Sequence, residues 1–405
     1  MRTGYGQVGG KIVFLLLLPC MNSSVIPSSR LPRTGTTIFT IMSQLAAEHG
    51  AINLGQGFPG FPVDPALTER VKEAMDQGHN QYAPMPGILS LRELLSAKLR
   101  NSYGQVYDPT SEITITAGAT QAIFTAITAL IKPGDEVILF APAYDCYAPA
   151  VELNGGMVKW ITMSYPDYRV QWDDVKAAIS PRTKMIVFNT PHNPAGTIWS
   201  ESDVLQLQDL TRDTEIIVIS DEVYEHIVFD GMQHMSCARF PELASRSVLV
   251  YSFGKTLHVT GWKMGYVAAP EALMKEFRKV HQYNVFSVNT PAQYAIESYM
   301  RNPDTYRGLA DFFQRKRDLF LSRITNPVFS FVPSAGSYFQ LLQYKGADHL
   351  PDVELAKKWT VSYGITSIPL SVFYPDGLDE SVLRFCFAKD DDLLIAAADA
   401  LNKIS

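Results

Sequence analysis

The chain has 405 residues, 46% of them hydrophobic and 19% charged, with a formal net charge of −6. That length accommodates one large domain and a smaller one, and mild acidity without basic clusters argues against nucleic acid or anionic membrane as partners. Four cysteines (Cys20, Cys146, Cys237, Cys386) lie far apart with no CxxC pair, predicting reduced, mostly buried thiols and neither a disulfide framework nor a zinc site.

Residues 1–30 differ in character from the rest. Arg2 and Lys11 precede an apolar run over residues 12–20 that loosely mimics a signal peptide. The run is well short of the roughly 18 residues of a membrane span, and no small-x-small cleavage site follows it. Met21 then opens a polar stretch. A mis-assigned start or a tolerated extension is the expectation, in a cytoplasmic protein; an export signal is the alternative.

Helical spacing with Thr36 or Thr37 as cap predicts a helix over residues 36–49. Gly55-Gln-Gly57-Phe-Pro-Gly60 formally matches GxGxxG, but Phe58-Pro59 and Pro62 stand where a helix should open, so a glycine-rich substrate loop fits better. Residues 65–77 predict a helix with Pro near its start and Gly78 after its end, and residues 90–103 another. From residue 112 strands alternate with loops and helices: strands at 113–116, 136–140, 184–188, 215–219 and 248–251, with a helix at 121–131. Near-continuous apolar strands alternating with helices predict an α/β fold with a mostly parallel sheet covered on both faces. Beyond residue 300 a helix over 304–323, one near 352–363, a strand over 382–387 and a closing helix over 391–402 predict a smaller α+β domain. The expected organisation is an extension (1–30), an N-terminal segment packing with the small domain (31–63), a large domain (64–300) and a small C-terminal domain (301–405).

Ligands of such sheets bind outside the carboxyl ends of the strands, and those ends carry distinctive groups here. Lys255 follows the apolar strand 248–251. On that stretch alone a structural lysine is the commoner reading, and Gly254-Lys255-Thr256 is no P-loop, because Leu249 stands where its first glycine should be. Gly118-Ala119-Thr120 opens a helix whose free N–H groups suit an anion. Tyr144 offers an aromatic face, Asn193 sits in a Pro-flanked loop, and Asp221 and Tyr224 follow the most hydrophobic strand. Ser252, Lys255 and Lys263 close the set. Together they ask for a ligand with a phosphate, an aromatic ring, a basic ring atom, a phenolic oxygen and a carbonyl, which pyridoxal 5′-phosphate has.

Ser252-Phe-Gly-Lys255-Thr with Gly261-Trp-Lys263, Asn193-Pro-Ala-Gly196 and Asp221-Glu-Val-Tyr224 together resemble the class I pyridoxal-phosphate aminotransferases of fold type I. The likeness runs from about Leu31 to the C-terminus. It is closest to the methionine aminotransferase and kynurenine (glutamine) transaminase branch, through Asn53-Leu-Gly-Gln-Gly-Phe-Pro59, Asn80-Gln-Tyr82-Ala-Pro-Met, Asn189-Thr-Pro-His-Asn-Pro194, Phe286-Ser-Val-Asn-Thr-Pro-Ala-Gln293 and Leu383-Arg-Phe-Cys-Phe-Ala-Lys389. The resemblance implies that Lys255 holds the cofactor and shuttles a proton, which needs a neutral amine. It implies that Asp221 keeps the pyridine nitrogen protonated, that Tyr224 and Asn193 bond the ring oxygen, and that Tyr144 stacks on the ring. Gly118, Ala119, Thr120, Ser252 and Lys263 would hold the phosphate. Arginine is common at the Lys263 position in the wider superfamily; lysine keeps the charge and loses bidentate geometry. Tyr82 would reach the phosphate from a second subunit of a homodimer.

Arg384, amid apolar neighbours, is implied as a clamp on the substrate α-carboxylate, with the Gly57 backbone and Asn193 completing that site; a structural ion pair is the alternative. Phe39, Tyr82 and Phe286 are candidates for the side-chain pocket. With no evident second arginine, an apolar or aromatic amino acid is expected, methionine first, transferred to a 2-oxo acid by a ping-pong mechanism. A cysteine-conjugate β-lyase or a broad kynurenine–oxoglutarate transaminase is the runner-up. His192, beside Asn193, is as well read as an ordinary loop histidine.

Overall fold

The structure, a computed structural model, describes residues 28–32, 34–346 and 350–404. The expectation for residues 1–20 lies outside the described residues. A first helix, α1 (Ile38–His49), is capped by the Thr37 side chain and ends at Gly50 in the left-handed conformation. The short strand β1 (Ile52–Asn53) follows, then α2 (Pro65–Asp76), whose first turn is capped by Asp64, and α3 (Leu89–Tyr103). These lie within a residue or two of the predicted spans.

The central sheet has seven strands: β2 (Ile113–Thr116), β3 (Glu136–Ala141), β4 (Met157–Thr162), β5 (Thr183–Asn189), β6 (Ile217–Asp221), β7 (Ser247–Ser252) and β8 (Gly265–Ala268). Their order across the sheet is β2-β8-β7-β6-β5-β3-β4, and β8 alone runs against the others. The helix α4 (Ala119–Leu130) follows β2. Apart from the edge strand β4, the strands are buried on both faces, successive side chains pointing to opposite sides. Val137, Leu139, Val187, Ile219, Val248 and Val250 pack under α4 and the helix Glu271–Asn284. Ile138, Phe140, Ile186, Phe188, Val218 and Leu249 join the core on the other side.

Beyond residue 300 the expected single helix over 304–323 is broken. Helices Asp304–Arg307 and Leu309–Arg323 are separated by Gly308, which has no side chain to pack and a high cost in a helix interior. A four-stranded antiparallel sheet then forms from β9 (Phe329–Ser330), β10 (Phe339–Tyr344), β12 (Ile368–Pro369) and β13 (Val382–Cys386), in the order β12-β13-β10-β9. The strand β11 (Ile365–Thr366) pairs in parallel with β1, Ile52 opposite Ile365. Leu54 extends that pairing: its N–H donates to Thr366 O and its carbonyl accepts from Cys386 N–H at 2.7 Å. Residues 52–54 are therefore stitched to the C-terminal sheet, and α1 packs on the helix Asp352–Tyr363. Among the described residues no helix is long and apolar enough to cross a membrane.

A buried polar cluster supports the β6 strand end from behind. Lys98 of α3 donates to Glu225 Oε1 at 2.6 Å and to the Tyr266 hydroxyl at 3.2 Å, and the Tyr103 hydroxyl reaches the other Glu225 oxygen. Burial alone would raise the Glu225 pKa; Lys98, His226 and the Tyr103 hydroxyl bring it down to about 2. Next to it, Glu222 accepts from Ser220, Tyr251 and the Cys237 N–H. Lys98→Ala would leave Glu225 buried without its counter-ion, and should destabilise the fold by about 3–5 kcal/mol. Denaturant unfolding would read this, and replacing both Lys98 and Glu225 by methionine should cost less than the single change. A single-variant loss within experimental error would contradict that account.

Candidate active site

The carboxyl ends of the co-directional strands converge on one solvent-open pocket of about 670 Å³. Gly118, Ala119, Thr120, Tyr144, Asn193, Asp221, Tyr224, Ser252, Lys255 and Lys263 all line it. Ten residues singled out from five separate stretches of sequence are thus brought to one place.

One wall is the start of α4. Gly118 takes φ +86°, and no side chain caps the helix, so the first-turn N–H groups face the pocket with the positive end of the helix dipole. Lys263 runs beside it: a Cβ added to Gly118 would lie 3.5 Å from Lys263 Cε. Lys263 itself sits in the left-handed region at φ 53°, an uncommon conformation for a long side chain. Gly265 permits this approach of β8 to α4, since a Cβ there would meet Tyr251 O at 2.6 Å and Ala119 N at 3.2 Å.

The floor is Asp221, the last residue of β6. Its Oδ2 accepts from the Tyr147 hydroxyl at 2.6 Å and its Oδ1 from Val223 N–H at 3.3 Å. Burial pushes its carboxyl up to about 6, against the pull of those two donors and of Lys255. A carboxylate in that state lacks a cation close by. Tyr147 opens the helix Tyr147–Leu153, three residues after Tyr144, whose hydroxyl lies 3.3 Å from Thr120 Oγ1.

Lys255 lies in a single helical turn, Phe253–Thr256, that begins where β7 ends. Its Nζ donates to the Tyr338 hydroxyl oxygen at 2.8 Å and to Gly57 O at 3.1 Å. Among the described residues no carboxylate pairs with it. Burial lowers its ammonium to about 8.

Arg384, in the middle of β13, is 1% exposed. Its guanidinium donates to Asn193 Oδ1 at 2.7 Å and to Gly55 O at 3.0 Å, while its buried Nε has no partner. Phe339, Phe373 and Phe39 surround it, with ring centroids 4.0, 5.1 and 5.3 Å from Cζ. Burial lowers its ordinary value to about 10, and Asp145 is felt through space without a contact. The structural ion pair is absent among the described residues. Because arginine only donates, the Asn193 atom facing it is the oxygen, which leaves the Asn193 amide hydrogens for the pocket.

In the glycine-rich loop the Gly55 carbonyl accepts from Arg384, and the Gly57 carbonyl accepts from Lys255 and from the Tyr338 hydroxyl. The loop is shaped by Asn53 Oδ1, which accepts from the N–H groups of Gly55 and Gln56, and no helix opens directly after it: α2 starts only at Pro65. His192 is buried and accepts from Ala195 N–H at 3.3 Å through Nδ1, an internal role in its turn. Tyr82 and Phe286 are brought together, edge to face at 5.2 Å, but on the surface and outside this pocket: Tyr82 is 80% exposed.

Two residues at the site went unnoticed in the sequence. Tyr147 had a weak signal, its spacing of three from Tyr144. Tyr338, which touches Lys255, had none: it reads as one more aromatic residue entering a strand.

A pocket with a lysine, a carboxylate and an uncapped helix start, beside a buried arginine that bonds the pocket residue Asn193, agrees with the likeness of this chain to known proteins. The description "Aminotransferase class I and II" matches residues 49–401. The chain belongs to the class I and II aminotransferases. Among its relatives is the methionine aminotransferase of Escherichia coli (strain K12), 48% identical, with 95% of this chain and 100% of the relative covered. The kynurenine–oxoglutarate transaminase of Dictyostelium discoideum is 33% identical, with 93% and 96% covered. The crystal structure of an Escherichia coli protein with a methionine aminotransferase function superposes with a TM-score of 0.92 over 94% of this chain and 100% of that one, at 48% identity. The fold is that of the fold type I enzymes, and this aminotransferase is similar to both relatives over nearly its whole length.

The low Lys255 value has a direct consequence. A neutral amine is the reactive form, so in the cofactor-free protein the reaction of Lys255 with a neutral acylating reagent should rise with pH through a midpoint near 8, against 10.5 for an ordinary lysine. Peptide mapping across a pH series would measure it. A midpoint at the ordinary value would show that the pocket does not desolvate the amine.

Proposed function

We propose that this aminotransferase uses pyridoxal 5′-phosphate and takes the amino group preferentially from methionine, passing it to a 2-oxo acid in two half-reactions. The observation that carries the amino-acid reading is Arg384: a wholly buried guanidinium with an orphaned Nε and, among the described residues, no counter-ion, bonded to Asn193 of the pocket that Lys255 and Asp221 line. Such a group is completed by a carboxylate brought in by a ligand.

The residues suit the cofactor. The uncapped start of α4, Ser252 and Lys263 would hold the phosphate, Asp221 would face the ring nitrogen, Asn193 and Tyr224 the ring oxygen, and Tyr144 the ring face. The bound cofactor supplies an electron sink for the carbon that loses its proton. The chain does the rest. Asp221, whose carboxyl burial pushes up to about 6, would gain a cationic partner that favours its ionised form; Tyr147 fixes its orientation. Lys255, with a pKa lowered to about 8, is available as a neutral base and can return the proton as an ammonium. Arg384 and Asn193 orient the substrate by its carboxylate.

Methionine is favoured by the 48% identity to the Escherichia coli enzyme and by the aromatic surroundings of Arg384, since a thioether makes favourable contacts with ring edges. Kynurenine is the second reading, supported by the Dictyostelium discoideum relative. Following cofactor absorbance while each of twenty amino acids and kynurenine is added to the holoenzyme would decide. Methionine should give the largest half-reaction kcat/KM, and Lys255→Ala should lower its rate by about 1,000-fold or more. A faster reaction with kynurenine would replace the methionine reading, and an unimpaired Lys255→Ala variant would overturn the mechanism.

We also propose a homodimer in which Tyr82 and Phe286 serve the neighbouring copy's site. Their exposure as a contiguous aromatic pair, beside the 90% exposed Tyr283 of the same helix end, supports this. Lys255→Ala and Tyr82→Ala chains, each inactive alone, should regain roughly a quarter of wild-type activity when refolded together in equal amounts, because mixed dimers contain one intact site. Sedimentation as a monomer, or a mixture that stays inactive, would refute shared sites.

A further inference from the structure

Tyr338 immediately precedes β10, and its ring is wholly buried. Its hydroxyl lies 2.7 Å from Gly57 O, and a carbonyl can only accept, so the phenolic hydrogen is committed to Gly57. The phenolic oxygen is left as an acceptor. Lys255 Nζ lies 2.8 Å from that oxygen and 3.1 Å from Gly57 O, so both neighbours accept from the amine. A neutral primary amine has two N–H bonds and one lone pair, arranged tetrahedrally with its carbon. The two acceptors are themselves only 2.7 Å apart, so they draw the N–H side of the amine one way and leave its lone pair facing away from them.

We propose that Tyr338 is a positioning residue: with the Gly57 carbonyl it holds the N–H side of the free Lys255 amine and so turns its lone pair towards the substrate carbon. This rests on the function proposed above. The lone pair takes the proton from the substrate carbon, giving an ammonium whose third N–H occupies that same direction and returns it. Tyr338 keeps its own proton throughout, and burial, which raises its pKa far above the ordinary phenol range, agrees with that.

The arrangement also joins recognition to proton transfer. Gly57 lies two residues after Gly55, which accepts from Arg384. Phe339, next to Tyr338, lies with its ring centroid 4.0 Å from the Arg384 guanidinium carbon. A substrate carboxylate that orders this loop therefore also sets the acceptors of the lysine. The Tyr338 ring is held edge-on by Tyr224 at 5.1 Å.

Tyr338→Phe keeps the ring and removes the acceptor. In the holoenzyme, cofactor uptake should be unchanged, while the half-reaction kcat falls about 10- to 100-fold with KM changed little. Deuterium at the substrate α-carbon should slow the variant by a larger factor than the wild type, since proton transfer becomes the slow step. In the cofactor-free protein, the pH midpoint for acylation of Lys255 should fall below that of the wild type, because a phenolic acceptor favours the ammonium over the amine. Gly57→Ala provides a second variant should Tyr338→Phe fail to fold. Its Cβ would meet Phe339 Cζ at 2.7 Å, so the loop and the Phe339 ring, next to Tyr338 in the chain, must move apart, which disturbs the acceptors of Lys255 from either side; the isotope effect should rise here too. A wild type that transaminates beside variants unaltered in isotope effect and midpoint overturns the role of Tyr338 alone. A wild type inert towards amino acids overturns the function itself and, with it, this role.

Discussion

Arg384 is 1% exposed, yet its guanidinium faces an amide oxygen, a backbone carbonyl and three aromatic rings where a carboxylate would be expected. Holding a cation out of water in this way is costly unless its donors are engaged, and the surroundings of the pocket supply what they can. Asn193 gives up its oxygen to Arg384, and its own backbone N–H is fixed by Asn189 at 2.7 Å. Gly55 gives up its carbonyl because Asn53 bends the loop. What these neighbours leave unsatisfied is what, in the function proposed, an amino acid's carboxylate would bring.

The same logic extends to the other charges of the site. Asp221 and Lys255 are each desolvated without a close partner of opposite sign, and their values move towards neutrality for that reason, one upward and one downward. Behind them the sign of the argument reverses: Glu225 is buried against Lys98, and that pairing holds its carboxyl below the ordinary value in spite of burial. Paired ions brace the frame, and unpaired ones face the ligand. That division separates structural charge from functional charge within a single strand end, Asp221 to Glu225.

Much of this was legible in the sequence, for physical reasons that differ by element. The buried strands announce themselves because both faces are apolar. The edge strand β4 does not: its residues alternate between exposed and part-buried, with Lys159 among them, and the run reads as ordinary surface. β8 is only four residues long and gains its place through Gly265, a close approach that one dimension does not reveal. At the site, charged groups were conspicuous against apolar strands, so Lys255, Asp221 and Arg384 stood out. The tyrosines did not. Tyr147 and Tyr338 sit in stretches rich in aromatic residues, where packing is the ordinary explanation for a ring, and only the position of the hydroxyl distinguishes them. Gly55 and Gly57 were recognised as a loop, but which carbonyl faces which cation is a matter of backbone rotation that residue types do not encode.

The pocket is assembled from two sheets that share no strand. Lys255 and Asp221 stand on the seven-stranded sheet, whereas Arg384 stands on the four-stranded one, with Phe39 and the glycine loop joined to it through β1 and β11. In the function proposed, bond-making machinery and amino-acid recognition therefore rest on separate supports. Natural drift or laboratory selection can rework the aromatic side-chain pocket, residue by residue, while the sheet that carries the reaction stays folded as it is. A lineage built this way can exchange one amino acid for another without having to rediscover its chemistry.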